Sequence, residues 1–175
     1  SERIPNLDEA CGEHFTFRSF IECGETQGRL RLKNLPLNPA TYNALYDLAT
    51  QVIDSVVDYF GGIRLTYGFC SVELGRHISK RVAPKLDQHA ACEVGPRNGP
   101  ICDRLGAACD FVVEDENMYE VADWIIANLL FDRLYIYGAD RPMHISFGPQ
   151  NSRAAYQMVG TAGGAVVRRR YASAR

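Results

Sequence analysis

The chain has 175 residues, of which 46% are hydrophobic and 23% are charged, as in ordinary globular proteins. Its formal net charge of −2 argues against wholesale binding to nucleic acid or to a membrane surface. No apolar run approaches the ~20 residues that a membrane helix needs, so we expect no membrane partner. The length predicts a single domain over residues 1–175.

The start of the chain and its cysteines favour a cytoplasmic location. Residues 1–6 lack the apolar core of a secretory signal peptide, although the chain starts at Ser1 and trimming from a longer protein stays open. The six cysteines form no CxxC pair, which argues against a zinc site built from four cysteines. We expect free thiols. The alternative is a disulfide between Cys92 and Cys102, which flank a turn-rich loop.

The clearest predicted element is a helix over residues 40–60, where apolar side chains recur at helical spacing. Gly61 and Gly62 are expected to end it. Downstream, the pattern predicts a strand over residues 63–69 and a short helix over residues 71–79.

The second half of the chain begins with a predicted long loop over residues 80–104, which contains three prolines and two glycines. Loops of this length are uncommon in compact domains, so this one is a candidate for function. The remaining predicted elements are a buried strand over residues 110–114, a helix over 118–129, a hairpin of strands 134–137 and 143–147, and a last strand over 166–171.

These elements do not alternate regularly between helix and strand. A regular βαβ order would favour a parallel sheet, whereas this order favours an α+β domain with a mainly antiparallel sheet flanked by helices. Tyr135 and Tyr137 alternate on one strand, where they could line a cleft or pack in the core.

Three residues stand where metal ligands would be expected: His89, Asp110 and His144. Two imidazoles and one carboxylate, with a fourth position left for water, form the ligand set of a catalytic zinc site. Only four histidines occur in the chain, so two at such positions are informative. The alternative is a coincidence of surface or core histidines, because ligands so far apart in sequence form no local motif. Cys109, which precedes Asp110, should face the core.

Several segments, in this order, resemble the zinc D-Ala-D-Ala carboxypeptidase family, which has the Hedgehog/DD-peptidase fold. Residues 15–20 resemble its opening motif, and residues 66–71 resemble its Ser-Gly-Tyr-Arg-Ser segment. Residues 88–89 and 105–110 resemble two halves of its Ser-x-His-x-x-Gly-x-Ala-x-Asp motif, and residues 143–145 its last histidine strand. The resemblance covers residues 14–148 and implies a diverged member with Zn²⁺ on His89, Asp110 and His144.

The chain departs from that family at three places. Residues 90–104 separate the two halves of the ligand motif, and alignment without this insertion would put Asp103 in place of the histidine. Cys70 stands where the family has an arginine. Arg141 stands where many members carry a glutamate as general base, which leaves Asp140 as the nearest carboxylate. An extended backbone would put Asp140 on the same side as His144, with Arg141 supplying positive charge.

The resemblance implies a zinc-dependent hydrolase that cleaves an amide bond in a peptidoglycan-type peptide, with a peptide or small molecule as substrate. The alternative is a diverged intracellular member without peptidase activity, which binds a ligand or partner or acts on nucleic acid or a small metabolite. Nucleic acid is the less expected partner, because the basic run Arg168–Arg170 is short for binding that normally draws on several phosphate contacts.

Overall fold

A computed structural model describes residues 2–79 and 83–173. Within these residues the α-helices are α1 (Phe17–Ile21), α2 (Glu25–Leu30), α3 (Pro39–Leu48), α4 (Asp54–Phe60), α5 (Val72–Gly75) and α6 (Met118–Asn128). Short 3-10 helices cover Pro84–Leu86 and Gln88–Ala90. A small antiparallel hairpin is formed by β1 (Ala10–Cys11) and β2 (Phe15–Thr16). No helix among the described residues has the length and apolar character that crossing a membrane requires.

The predicted helix over residues 40–60 is confirmed as one continuous helical stretch that contains an irregular centre. Asn38 caps its start, because the side-chain oxygen accepts a hydrogen bond from the backbone N–H of Ala40 at 3.0 Å. A π-helical segment, Ala49–Ile53, joins α3 to α4. Gly61 ends the stretch at φ 93°, a conformation that glycine adopts without steric cost.

The large sheet has six strands: β3 (Ile63–Tyr67), β4 (Ala107–Val113), β5 (Arg133–Ile136), β6 (Met143–Phe147), β7 (Ala154–Gly160) and β8 (Val166–Arg170). Their spatial order is β3-β4-β6-β5-β7-β8. Neighbouring strands are antiparallel except for β5 and β7, which are parallel. The expected α+β class is confirmed, and so is the hairpin of β5 and β6, whereas β7 was not predicted and makes the sheet mixed.

One face of this sheet packs on helices and the other carries polar side chains. Cys109, Phe111, Leu134 and Ile145 alternate onto the helix side and are fully buried in a single core with residues of α3 and α6. The expectation that Cys109 faces the core is therefore confirmed. All six cysteines are free thiols, including Cys92 and Cys102.

On the opposite face, six side chains lie directly across from one another, one on each strand. We call them the cross-strand row; in spatial order they are Tyr67, Asp110, His144, Tyr135, Tyr156 and Arg170. A bulge in β3 brings Tyr67 into the row: Leu65 pairs with Phe111 and Tyr67 with Asp110, which leaves Thr66 as the extra residue.

The segment 90–104 folds back on the start of α3. The Glu93 carboxylate accepts hydrogen bonds from the backbone N–H groups of Leu37 and Asn38 and from the hydroxyl of Thr41. Further along, Val94 and Pro100 form an isolated β-bridge. Residues 80–82 of the predicted long loop lie outside the described residues.

Candidate metal centre

Two of the three predicted ligands meet because their strands are neighbours. Asp110 in β4 is directly opposite His144 in β6, so both side chains leave the sheet on the same face. His89 arrives from the separate 3-10 helix Gln88–Ala90 and lies over this pair. The sheet fixes two side chains by register, and one short helical turn supplies the third.

The ligand atoms of these three residues converge. The Nε2 atom of His89 lies 3.3 Å from Oδ1 of Asp110, and Nδ1 of His144 lies 3.0 Å from the same oxygen. The two ring nitrogens are 3.2 Å apart. One ligand atom from each residue thus falls within 4.8 Å of the others, as a single metal ion would require. Both imidazoles are buried.

The His89 ring is oriented from behind by the backbone. Its Nδ1 atom lies 2.7 Å from the carbonyl oxygen of Gly68, and because a carbonyl only accepts, this nitrogen carries the proton and Nε2 is left for a metal. The backbone N–H of Cys70 donates to the His89 carbonyl at 2.9 Å. A Cβ atom at Gly68 would collide with the carbonyl oxygen of Phe20, so only glycine fits there.

The electrostatics of the cluster favour a charged carboxylate at Asp110. Burial acts to raise the pKa of Asp110, but the adjacent charge of His89 and hydrogen bonds from both histidines hold it well below its usual range. Burial acts to lower the pKa of His89, and the Asp110 carboxylate reverses this and raises it. The Asp110 carboxylate is therefore the charge in this cluster that a bound cation would balance.

Next to His89, Gln88 is fixed by a buried network. Its amide nitrogen donates to the Asp132 carboxylate at 2.9 Å and to the carbonyl oxygen of Leu105 at 3.1 Å. Arg104 forms two hydrogen bonds with the same carboxylate, at 2.6 and 2.8 Å, and Asp132 is fully buried. Asp132 thus fixes the chain on both sides of residues 90–103.

A cavity of about 410 Å³ opens in front of the three ligand atoms. Its wall includes Tyr67, Tyr135, Tyr137 and Arg141, so the expectation that Tyr135 and Tyr137 line a cleft is confirmed. Burial, the charge of Asp110 and the neighbouring Tyr135 raise the pKa of Tyr137 to about 12, despite an opposing effect of Arg141. Its hydroxyl stays protonated at neutral pH and can donate a hydrogen bond into the cavity.

Three carboxylates line this cavity among the described residues: Glu25, Asp87 and Asp110. Asp110 belongs to the ligand set. Asp87 is buried and accepts a hydrogen bond from the backbone N–H of His89 at 3.0 Å. Glu25, at the first position of α2, is the carboxylate left with an exposed side chain at the cavity.

The structure separates the sequence-based candidates clearly. His89, Asp110 and His144 converge, whereas Asp103 is exposed and does not join them. Cys70 is buried, and its backbone N–H donates a hydrogen bond to the His89 carbonyl. Asp140 is exposed in the turn before β6 and does not line the described cavity wall, while Arg141 does. The extended backbone on which the placing of Asp140 beside His144 depended is thus replaced by a turn. Glu25, Tyr67 and the Gln88–Asp132 anchor were missed, because no local pattern connects them to the ligands.

A second group of titratable side chains, Glu13, His14 and Asp58, also lies close enough together to hold an ion. All three are exposed, and His14 already hydrogen bonds to Asp58 at 2.7 Å. Exposed groups of this kind are common without a metal, so the group serves best as an internal control.

Comparison with protein-family models, with curated proteins and with solved structures found no match for this chain. The reasons for assigning a chemistry therefore come from the centre itself: two imidazoles, one carboxylate, an adjoining cavity, and a cation and a neutral phenol on the cavity wall.

Proposed function

We propose that the protein is a zinc-dependent hydrolase whose centre is His89, Asp110 and His144. The observation that carries the proposal is the convergence of their ligand atoms within 4.8 Å beside a cavity. Bound there, Zn²⁺ would supply Lewis acidity and lower the pKa of a water in its open position. Two imidazoles and one carboxylate, with a position left open, are a ligand set that catalytic zinc sites use.

The proposed substrate is a peptidoglycan-type peptide, cleaved at an amide bond. Support comes from the ordered resemblance to zinc D-Ala-D-Ala carboxypeptidases over residues 14–148, and we propose the Hedgehog/DD-peptidase fold on the same ground. The mainly antiparallel pairing of the sheet and the single core are compatible with that fold. The parallel β7 and its partner β8 lie beyond the region of resemblance.

Within this proposal, residues of the cavity wall would stabilise developing charge and accept a proton. The Arg141 guanidinium lines the cavity and would stabilise negative charge developing on a substrate carbonyl. Tyr137 would donate a hydrogen bond to the same oxygen. Glu25 would accept the proton of the attacking water, because Arg141 cannot do so and Asp140 does not line the cavity.

A second candidate function is supported by the two departures at the centre itself. Cys70 replaces the arginine of the resembled family, and Arg141 occupies the position of its usual base. A protein altered in this way would keep a metal and bind a ligand or partner without peptidase activity, or would act on a small metabolite or nucleic acid.

Two measurements on one preparation test these proposals. The first is elemental analysis of protein purified without chelator, with about one zinc per chain expected. The second is hydrolysis of an acyl-D-Ala-D-Ala peptide, followed by release of D-alanine. Zinc with hydrolysis supports the first function, and zinc without hydrolysis supports the second. Absence of zinc, with no rise in Tm when zinc is added, would contradict both.

A further inference from the structure

The cross-strand row continues well beyond the metal centre. From His144 it passes to Tyr135, then to Tyr156 in β7 and Arg170 in β8. The Tyr135 ring stacks on His144, with centroids 4.9 Å apart and planes at 22°, and its centroid is 5.9 Å from that of Tyr156. An unbroken line of aromatic side chains therefore leads from the ligands towards the edge of the sheet.

Arginines occupy the far end of this line. The guanidinium carbon of Arg168 lies 4.3 Å from the centre of the Tyr156 ring, and that of Arg170 lies 5.9 Å from it. Both arginines are exposed. Among the described residues, the ion pairs do not include either of them. The sheet edge thus presents positive charge that is oriented by an aromatic ring.

The neighbouring Arg169 faces the other way. It pairs with Gln157, whose amide donates to the hydroxyl of Tyr119 in α6, so this position belongs to the helix side of the sheet. Alternation along β8 therefore puts two of the three arginines on the face that carries the metal ligands.

We infer that Tyr156, Arg168 and Arg170 form a binding surface for the acidic part of an extended peptide whose reacting bond lies at His89, Asp110 and His144. The inference rests on the proposed function. Strands in a sheet are about 4.8 Å apart, so Arg170, three strands from His144, is roughly 14 Å away. An extended peptide covers this distance in about four residues, since each spans roughly 3.3–3.6 Å.

The contacts within the row favour a carboxylate-bearing peptide over a single-stranded nucleic acid. Nucleic-acid platforms offer open aromatic faces on which bases stack. Here Tyr135 already stacks on His144, and Arg168 already covers Tyr156. What remains accessible is the charge of the guanidinium groups, whose planar donors match carboxylates. The surface should therefore bind acidic side chains that lie about four residues from the reacting bond.

The test uses two fluorescein-labelled probes, Gly-Gly-Gly-Gly-Glu-Glu and the same peptide ending in Gln-Gln, with binding measured by fluorescence anisotropy. The protein is used loaded with zinc and again after removal of metal by a chelator. Arg170→Gln and the matched control Arg169→Gln remove one charge each from the same strand. Thermal unfolding verifies that both variants are folded.

We expect the zinc-loaded protein to bind the acidic probe more tightly than the neutral probe. Arg170→Gln should weaken acidic-probe binding roughly threefold to fivefold, and Arg169→Gln should leave it nearly unchanged. The double variant Arg168→Gln/Arg170→Gln should abolish the preference for the acidic probe. Equal losses in Arg169→Gln and Arg170→Gln would overturn the inference, since they would indicate unspecific attraction.

A single-stranded oligothymidylate of equal charge provides a further comparison. If the oligothymidylate binds more tightly than the acidic probe, and does so through Arg170, the ligand of this surface is a nucleic acid. That result would contradict the inference. Failure of the proposed function is separately visible. If the protein binds no zinc but still prefers the acidic probe through Arg168 and Arg170, the proposed hydrolase function is contradicted. The peptide-binding surface is supported in that case.

Discussion

Gln88 and Arg104 both bind the carboxylate of Asp132, although 15 residues separate them in the chain. Arg104 lies just before the strand that carries Asp110, and Gln88 is the residue before His89. The shared carboxylate therefore fixes the chain on both sides of residues 90–103, next to two of the three candidate ligands. We expect changes of length within residues 94–100 to leave the positions of His89 and Asp110 unaltered.

This shared carboxylate should be essential for stability. Asp132→Asn would leave the half-buried Arg104 without its charged partner, so we expect the free energy of unfolding to fall by about 3 kcal/mol, the lower end for a broken buried ion pair. Arg64→Gln is the matched control, because it breaks the exposed Arg64–Glu114 pair and should cost less than about 1 kcal/mol. Urea denaturation measures both, and similar losses in the two variants would contradict the role of the anchor.

The same carboxylate predicts a pH dependence. Burial acts to raise the pKa of Asp132, but hydrogen bonds from Arg104 and Ser152 lower it well below its ordinary value. A lowered pKa in the folded state contributes stability that is present above the unfolded value of about 3.9 and is lost as the pH falls below it. Asp132→Asn should therefore lose stability less steeply between about pH 4 and pH 2 than the wild-type protein. Parallel curves would refute this assignment.

Zinc content should depend on His89, Asp110 and His144 and should not depend on His14. His89→Ala, Asp110→Asn and His144→Ala each remove one ligand atom, and we expect each to lose the zinc that the wild-type protein retains through gel filtration. His14→Ala should keep it, since His14 belongs to the exposed group. In the wild-type protein, zinc at a hundred times its dissociation constant should stabilise the fold by about 2.7 kcal/mol.

Gly68 should influence zinc binding through its backbone carbonyl, which orients the His89 ring. Gly68→Ala would push the backbone away from the Phe20 carbonyl and so shift the carbonyl that orients His89. We expect zinc affinity to fall roughly 10-fold to 100-fold, as when an outer partner of a ligand is lost. Gly62→Ala is the control, because nothing lies within 4 Å of a Cβ atom there. Competition with a chromophoric chelator measures the dissociation constants.

Substitutions of Glu25 and of Asp140 should have different effects on catalytic activity. If Glu25 accepts the proton, Glu25→Gln should lower kcat for an acyl-D-Ala-D-Ala peptide roughly 10²-fold to 10⁴-fold while zinc content stays at the wild-type level. Asp140→Asn should retain activity, because Asp140 lies in the exposed turn. A loss of activity in Asp140→Asn alone would return the role of base to Asp140.

The sequence contained enough to predict the long helix, the hairpin that carries His144 and the grouping of His89, Asp110 and His144. Those features depend on local periodicity or on residue type. Strand β7 was missed because its parallel pairing with β5 connects segments that have no common local pattern. A connection between two strands was predicted around Asp140, but whether its backbone would be extended or would turn at residues 139–140 depends on contacts that the local sequence does not encode. Glu25 was missed because the cavity joins remote elements, which a linear pattern does not reveal.

The bulge in β3 decides which face of the sheet Tyr67 occupies. If β3 paired regularly beyond Leu65, Thr66 would lie opposite Asp110, and Tyr67 would fall opposite Cys109 and turn from the cavity into the core. Its ring would then leave His89, whose centroid now lies 4.1 Å away. Deletion of Thr66 would instead keep Tyr67 opposite Asp110, because Tyr67 would then be the residue that follows Leu65. The position of Tyr67 at the cavity therefore depends on how β3 pairs at this point and not on the side chain of Thr66.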